Sequence, residues 1–531
     1  MYLDIIAERT PDKAALVMAG SGTTITYDEL NRRTIQAANL FRHHGLNTGD
    51  SIAIYMENSI AFIEAALGAV RAGLYFVPIG KHLKSEEVTY LLADSAAKIL
   101  IASPQTIRTF AVRTTPPAAV EHVYITGGTI DPWLRWSDAI AAQAWTETPG
   151  DIPGSPMFYS SGTTGNPKGI RMPLGGALAK YWSEPFTHEW PPESGVVHTE
   201  NNINLIPGPL YHVSPFSFCL LALQLGATAV IMEVFDPEWV LQLIERHRIT
   251  HIYLVPTMFV RLLMVPKVKR TQIYDLSSLR HVEHGSGPCA IDVKERMIEW
   301  LGPILYEVYG ASEPHGSTFI NSADWLRHKG SVGKAVQSVA IHILDEHQNE
   351  LPPGSIGDVY FSGMNIEFEY HNSPDKRKSQ STKEGWFCYG DIGSLDEEGY
   401  LYLKDRKSHT IIVGGQNVYS QEIENLLGTH PLIFDVAVIG VPDSIYGEEV
   451  RAYIQLCDPK DNNEATKVQL NAFCKERLAD IKCPKEIIFV PSLHRTEHGK
   501  LRKGLLKAQV AQDAGVALQP VATAPPPALG D

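Results

Sequence analysis

Short apolar runs alternate with longer amphipathic stretches along most of this chain, and that alternation limits its fold more than any other feature. Residues 51–56 (SIAIYM), 74–79 (LYFVPI) and 99–101 read as strands, with helices over 61–72 and 88–92 between them. Residues 226–256 repeat the order strand, helix, strand, and residues 279–289 end a further strand in a Gly/Ser/Pro turn. A tight turn cannot join parallel neighbours, so strands separated by helices pair through crossovers. The expected fold class is therefore α/β, with doubly wound sheets. From Thr26 to a stop at Gly45 apolar residues recur at helical spacing. Residues 103–153 read as loop-rich, broken at Thr114, Thr115, Pro116 and Pro117, and residues 175–200 as a variable segment with Trp182, Trp190, Pro191 and Pro192.

The pattern changes further along. Residues 331–359 alternate with period two around turns at Asp345 and Pro352-Pro353-Gly354, which reads as antiparallel β-structure and a small β-barrel-like unit. Beyond residue 411 the expected order is strand, helix, strands at 436–441 and 449–456, a helix at 466–478 and a strand at 485–490, making a small α+β domain. The division expected is 1–406 as a large domain, 407–510 as a small one, and 511–531, rich in Ala and Pro, as a disordered tail.

Composition sets outer limits. A chain of 531 residues exceeds one ordinary core. A net charge of −14 without a long basic run argues against nucleic acid as a partner. The six cysteines (Cys219, Cys289, Cys388, Cys457, Cys474, Cys483) form no C-x-x-C pair and read as reduced thiols of a cytoplasmic protein. The first residues lack the apolar core of a signal peptide. No window reaches the about 18 apolar residues of a membrane span.

The stretch richest in chemistry is 157–170, MFYSSGTTGNPKGI. An apolar run stops at Ser160, and Ser161, Gly162, Thr163, Thr164 and Gly165 lead to Lys168. Glycines let backbone N–H groups turn toward an anion, hydroxyls add donors, and the lysine adds a point charge. This is a phosphate cradle, though not the G-x-x-x-x-G-K-[ST] loop, since Pro167 precedes the lysine and no hydroxyl follows it. A plain Gly/Ser/Thr surface loop is the alternative. Tyr309 offers an aromatic face for a base, and Glu313 a carboxylate suited to Mg²⁺ or simply a strand-end acid facing water. Asp391 fits a cis-diol as a bidentate acceptor, or closes an Asx turn before Gly393. His212 stands beside aromatics and fits packing as well as function. Lys500, at a Gly-Lys step in a basic tail, reads by itself as a solvated charge.

With that loop and the segments GPLYH, YGASEP and GWFCYGDIG, the chain resembles the adenylate-forming superfamily of acyl- and aryl-coenzyme A synthetases, luciferases and peptide-synthetase adenylation domains. The similarity runs from about Thr26 to about Lys503 and favours the stand-alone acid–coenzyme A ligase-like branch. It implies a large domain that binds ATP and acid, and a small mobile lid carrying a catalytic Lys500. It places the phosphate and nucleotide contacts at Ser160, Ser161, Gly162, Thr163, Thr164, Gly165 and Lys168, along the backbone of Gly285, Ser286, Gly287 and Pro288, and at Tyr309, Gly310, Ser312, Asp391 and Arg406. Glu313 becomes a catalytic, metal-contacting residue. His212 becomes a gate to an acyl pocket with Tyr211, Val213, Tyr253, His284 and Gly310. Gly414 and Gly415 would flank a pantetheine tunnel, with the hinge at Lys407 and Ser408. Many relatives carry an acidic residue followed by Met where this chain has His409-Thr410, and here Leu501 is followed at once by Arg502.

The implied reaction is attack of a carboxylate on the α-phosphorus of ATP, giving an acyl-adenylate and pyrophosphate, then transfer to coenzyme A with release of AMP. ATP, Mg²⁺ and coenzyme A are the implied cofactors and co-substrate. The partners are a small carboxylic acid and an acceptor thiol or amine, and a homodimer is compatible. About thirty residues follow Lys500, which argues against a carrier domain. Amide formation with an amine acceptor is the alternative, and a nucleotide-binding regulatory protein is a third reading, disfavoured because Lys168, Glu313 and Lys500 all stand. No G-x-S-x-G elbow points to a serine hydrolase. A pocket from residues 175–220, 253–258, 284–287 and Gly310 is expected to be apolar and aromatic with few charges, suiting an aryl, alicyclic or medium-to-long acyl acid.

Overall fold

The computed structural model describes residues 1–111, 117–146, 152–160, 167–176, 183–184, 197–336, 338–363, 366–493, 495 and 501–513. The chain divides into two compact units, Met1–Leu403 and a second beginning at Lys404.

Two large sheets dominate the first unit. One has six strands in the order Leu134–Arg135, His122–Ile125, Ala97–Ala102, Ser51–Tyr55, Tyr75–Pro78, Ser155–Pro156, all parallel. The other has nine, in the order Lys334–Ala335, Ser317–Asn321, Leu305–Gly310, His281–Gly285, His251–Leu254, Ile203–Ile206, Thr228–Ile231, Ala14–Met18, Thr24–Thr26. Its middle pairings are parallel and its edges antiparallel. Helices cover them because their apolar residues have nowhere else to go. The helix Tyr27–His43 starts on a capping box, in which Thr26 Oγ1 accepts from Glu29 N and Glu29 Oε2 accepts from Thr26 N, at 3.2 and 3.0 Å. It packs so closely on Ile60–Ala72 that a Cβ on Gly68 would lie 2.5 Å from that of Ala37.

A four-stranded antiparallel sheet, Ala340–Leu344, Gly357–Ser362, Phe387–Leu395 and Leu401–Arg406, and a three-stranded one, Glu369–Tyr370, Lys168–Arg171 and Phe158–Ser160, complete the β-rich part. They share one apolar cluster around Phe361, Phe368, Tyr370 and Phe387.

The second unit has a hairpin, Ile411–Val413 and Gln416–Val418, a helix Ser420–Gly428, two long strands Ile433–Asp443 and Gly447–Leu456, a helix Glu464–Lys475, a strand Glu486–Phe489 and a helix Lys503–Asp513. Its core is separate, built on Ile411, Ile423, Val438, Ile454 and Leu470.

Several elements differ from the sequence reading. Helix Tyr2–Arg9 and the strands Ala14–Met18 and Thr24–Thr26 precede the first element expected. The stretch expected to be loop-rich holds helix Pro104–Ala111, strands His122–Ile125 and Leu134–Arg135, and helix Trp136–Ala141. Such short pieces owe their regularity to sheet neighbours rather than to a period of their own. The apolar run after His212 is a helix, Val213–Leu225, buried on nearly all sides and so without an amphipathic signature. The last helix extends past residue 510, where the sequence suggested a tail, because Leu506 packs on the second unit's strands. Thr114, Thr115, Pro116, Trp182, Trp190, Pro191 and Pro192 lie outside the described residues.

Candidate active site

The C-terminal ends of parallel strands are where an α/β sheet exposes loops able to bind ligands. In the nine-stranded sheet, the strand His281–Gly285 ends at Ser286, which adopts φ +65° although it carries a side chain. Strained backbone of this kind persists only where its surroundings hold it. Ser286 Oγ lies 2.9 Å from the Tyr253 hydroxyl and 3.1 Å from Ser214 Oγ. Those bonds join two strand ends to the first turn of helix Val213–Leu225, whose N-cap is His212. Gly285 is buried between the strands, while Ser286, Gly287 and Pro288 are exposed.

His212 packs its ring 4.8 Å from Tyr211. The loop before it is fixed by Asn58, whose amide donates to Gly208 O and Met232 O at 2.9 and 2.8 Å and accepts from Leu210 N at 2.7 Å. Beside Tyr211 opens a cleft of about 150 Å³, walled by Pro207, Pro209, Glu233, Phe235, Met258 and Arg261 among others.

The next strand end brings two expected residues together: the Tyr309 hydroxyl donates to Asp391 Oδ2 at 2.6 Å. Gly310 is exposed, and Ser312 and Glu313 half-buried just beyond it. Glu313 Oε1 accepts from the Tyr370 hydroxyl at 2.7 Å, and that hydroxyl also lies 2.8 Å from the Gln380 side-chain oxygen.

The expected phosphate loop springs from a hairpin. Lys168 pairs with Ser160 and Gly169 with Tyr159 across antiparallel strands, so Ser160 and Lys168 mark its two ends. Lys168 Nζ donates to Ser373 Oγ at 2.7 Å. Lys376 sits over the Tyr370 ring, 4.3 Å from its centre. Burial holds its ammonium below the ordinary lysine value, with Lys168 adding to the effect and Glu313 opposing it. Two cations and a carboxylate thus gather at one edge of the fold. Ser161, Gly162, Thr163, Thr164 and Gly165 lie outside the described residues.

His284 does not join the pocket residues. It is fully buried on the opposite face of its strand from Tyr253, edge-on to Phe259 and 3.7 Å from Glu307. Burial holds its imidazole well below the usual range, and Lys294 adds to this. Lys294 Nζ pairs with Glu307 Oε2 at 2.5 Å beneath the sheet. Alternation along the strand sends neighbours to opposite faces, and the sequence alone did not say which face was which.

In the second unit, Arg406 ends a strand and Lys407 and Ser408 open a short 3₁₀ turn, both exposed. Gly414 and Gly415 have φ of +57° and +79° in the two-residue turn between Ile411–Val413 and Gln416–Val418. The turn itself requires two glycine-like residues. Lys500 lies outside the described residues.

Sequence reasoning missed Asn58, Tyr370, Ser373, Lys376 and Gln380. Asn58 follows a strand as an unremarked polar residue. The rest lie in and after the segment FEYHNSPDK, whose placement beside Lys168 depends on the pairing of Lys168–Arg171 with Glu369–Tyr370.

The sequence matches the family described as AMP-binding enzyme over residues 3–371, and the C-terminal domain of the same enzymes over 422–500. The chain belongs to the AMP-binding enzyme family. It is 31% identical over 500 residues to a feruloyl-CoA synthase of an Amycolatopsis species, covering 92% of this chain and 95% of that one. The structure superposes with a TM-score of 0.82 on the anthranilate CoA ligase AuaEII in complex with anthranoyl-AMP, at 25% identity, covering 97% of this chain and 98% of the other. It superposes with a TM-score of 0.78 on the amide bond synthetase McbA from Marinactinospora thermotolerans, at 25% identity and 96% and 99% coverage. Among the described residues no helix is long and apolar enough to cross a membrane.

Proposed function

We propose that the chain activates a carboxylic acid with ATP, releasing pyrophosphate, and transfers the acyl group from the acyl-adenylate to the thiol of coenzyme A, releasing AMP. The observation that carries this reading is the Tyr309–Asp391 pair set beside Lys168, Ser373 and Glu313. They supply a ring for a base, an acceptor for a diol and a cation for phosphates, the three groups a nucleoside triphosphate needs.

The chain's own residues bind and orient. Asp391 accepts the ribose hydroxyls, and Tyr309 holds that carboxylate in place while presenting its ring. Lys168 meets the terminal phosphates with the loop from Ser160. The acid lies on the Tyr253 side of the sheet, with its carboxylate at the Ser286 and Gly310 strand ends and its body toward helix Val213–Leu225. No general base is required, because the carboxylate is already ionised. Charge that develops on the α-phosphate meets fixed donors, which need no reorganisation in the transition state. The second unit supplies Lys500 for adenylation and the Gly414-Gly415 hairpin for thioester formation, exchanged by movement at Lys407 and Ser408.

Glu313 fits Mg²⁺. Among the described residues no group of three or more ligating side chains surrounds it, and Mg²⁺ takes one or two carboxylates and draws its other ligands from phosphates and water. Bound there it would neutralise phosphate charge. The cysteines are all free, which supports a reducing, cytoplasmic setting.

Feruloyl-CoA synthase among the relatives supports an aryl acid as the substrate class, within the wider aryl, alicyclic and medium-to-long acyl range. The likeness to McbA supports a second reading, in which an amine takes the acyl group and an amide forms. The test is pyrophosphate release from ATP, Mg²⁺ and a panel of acids, with coenzyme A or a simple amine present and products identified by mass. A thioester with AMP is the expected product. An amide without thioester selects the second reading, and no pyrophosphate with any acid overturns both.

A further inference from the structure

The strands His251–Leu254, His281–Gly285 and Leu305–Gly310 lie side by side in parallel, so residues in register share a face. Below the sheet, His284 stands abreast of Glu307 in the core. Above it, Tyr253, Glu283 and Tyr306 form one row, and His251 and His281 lie abreast two residues earlier. This upper face carries Tyr253 toward Ser286 and toward Phe218 of helix Val213–Leu225, 5.9 Å away.

A glutamate in the middle of a parallel sheet is out of place, since both faces of such sheets are normally apolar. Glu283 keeps 18% of its side-chain surface accessible although strands flank it on both sides. Among the described residues its only ion-pair partner is His281, with Nε2 3.3 Å away, and no lysine or arginine meets it. The His281 side chain is 3% exposed. Its ring stacks between Tyr306 and His251, and its Nδ1 has no hydrogen-bond partner among the described residues. His198 adds a third imidazole, 5.3 Å from His281. Burial holds His198, His251 and His281 down at about 3, although Glu283 pulls His198 the other way. Burial likewise pushes the Glu283 carboxyl up to about 7.

We propose that Glu283, backed by His281, forms the far wall of the acid pocket and accepts a hydrogen bond from an N–H or O–H group that the substrate carries about 7 to 10 Å from its carboxyl, the rise of the two or three residues between Glu283 and the strand end. The proposal rests on the acid-activation reading and narrows it. The substrate is an aryl or alicyclic acid with a distal hydroxyl or amine, not a plain hydrocarbon chain. A methyl group at that position would cover the carboxyl without satisfying it, and sites built to hydrogen-bond a substrate discriminate strongly against analogues lacking the donor.

The test compares kcat/KM for pyrophosphate release with 3-(4-hydroxyphenyl)propanoic acid and 3-(4-methylphenyl)propanoic acid, which match in shape. Wild-type enzyme is expected to favour the hydroxy acid at least tenfold. Glu283→Leu is expected to abolish or reverse the preference, and Glu283→Gln to keep part of it. Both acids are measured on one preparation, so the ratio does not depend on the fraction folded. Equal or inverted kcat/KM in the wild type, or a ratio unchanged by Glu283→Leu, overturns the proposal while leaving acid activation standing. Failure of every acid with the wild type, with ATP still binding, overturns the activation reading and this proposal with it.

Discussion

The Tyr309 hydroxyl and the Asp391 carboxylate meet at 2.6 Å, joining the end of a central strand of the nine-stranded sheet to a strand of the four-stranded one. A strand-end tyrosine of one sheet and an acid of another become parts of one surface through that bond. Asp391→Ala is expected to raise the KM for ATP at least tenfold, since bonds to a charged acceptor are worth about 1.5–3 kcal/mol each. Tyr309→Phe keeps the ring and loses about 1 kcal/mol of orientation, so its KM is expected to rise only a few fold. Steady-state kinetics with varied ATP checks both, and an unchanged KM in Asp391→Ala would sink the assignment.

Among the described residues Lys168 donates to Ser373 and pairs with no acid. Its charge therefore remains available to phosphate. Lys168→Ala is expected to lower kcat/KM for ATP by about one to two orders of magnitude, a loss of about 1.4 to 2.8 kcal/mol, whereas Ser373→Ala keeps the charge and loses far less. Pyrophosphate release at limiting ATP measures the difference.

Ser286 combines a left-handed backbone with two hydroxyl contacts. Ser286→Ala loses the contacts and keeps the strain. Ser286→Gly loses the contacts but sheds about 1 kcal/mol of strain. The glycine variant is expected to melt above the alanine variant, and calorimetry giving the opposite order would show that the turn is not strained.

Lys294 and Glu307 pair beneath the sheet with side-chain exposures of 0% and 7%. Lys294→Met strands a buried carboxylate and is expected to cost about 3–5 kcal/mol, while Lys294→Met with Glu307→Leu recovers most of it. Urea denaturation of the two variants tests this, and equal midpoints would count against the pair.

Acid is expected to weaken the fold through the histidine cluster. His198, His251 and His281 sit at about 3 against an ordinary 6.5, so between those values the unfolded chain binds up to three more protons than the folded one. Glu283, at about 7 against 4.5, binds one more proton in the folded state over much of that window and opposes the trend. The histidines outnumber it, so their stabilisation is complete above pH 6.5 and stability falls on acidification from there, each contributing at most about 1.4 kcal/mol per pH unit. Denaturation at pH 7.5 and 5.5 reads the slope. Glu283→Gln removes the opposing group and is expected to steepen it.

The parallel sheets were legible from sequence because crossover helices leave long periodic segments between apolar runs. Asp391, Tyr309, Lys168 and Glu313 were legible as candidates because each lies in a distinctive local motif. What could not be read was facing. His284 and Glu283 are adjacent, and their opposite destinations depend on which side of the strand meets helix Val213–Leu225, a fact held by the tertiary structure. Ser373 and Tyr370 reach the site through pairing across roughly two hundred residues of chain. Gly414 and Gly415 also have positive φ, which the two-residue turn between their strands favours, a local requirement the sequence motif does not display.

The strand His281–Gly285 divides its labour by parity. Its odd-numbered residue Glu283 faces the side on which the acid is proposed to lie, and His284, an even-numbered neighbour, anchors the core beside a charged pair. A mutant library restricted to position 283 would thus explore new acids while leaving the scaffold's packing largely alone, and selectivity could drift in evolution along one side of a single strand without the fold having to follow.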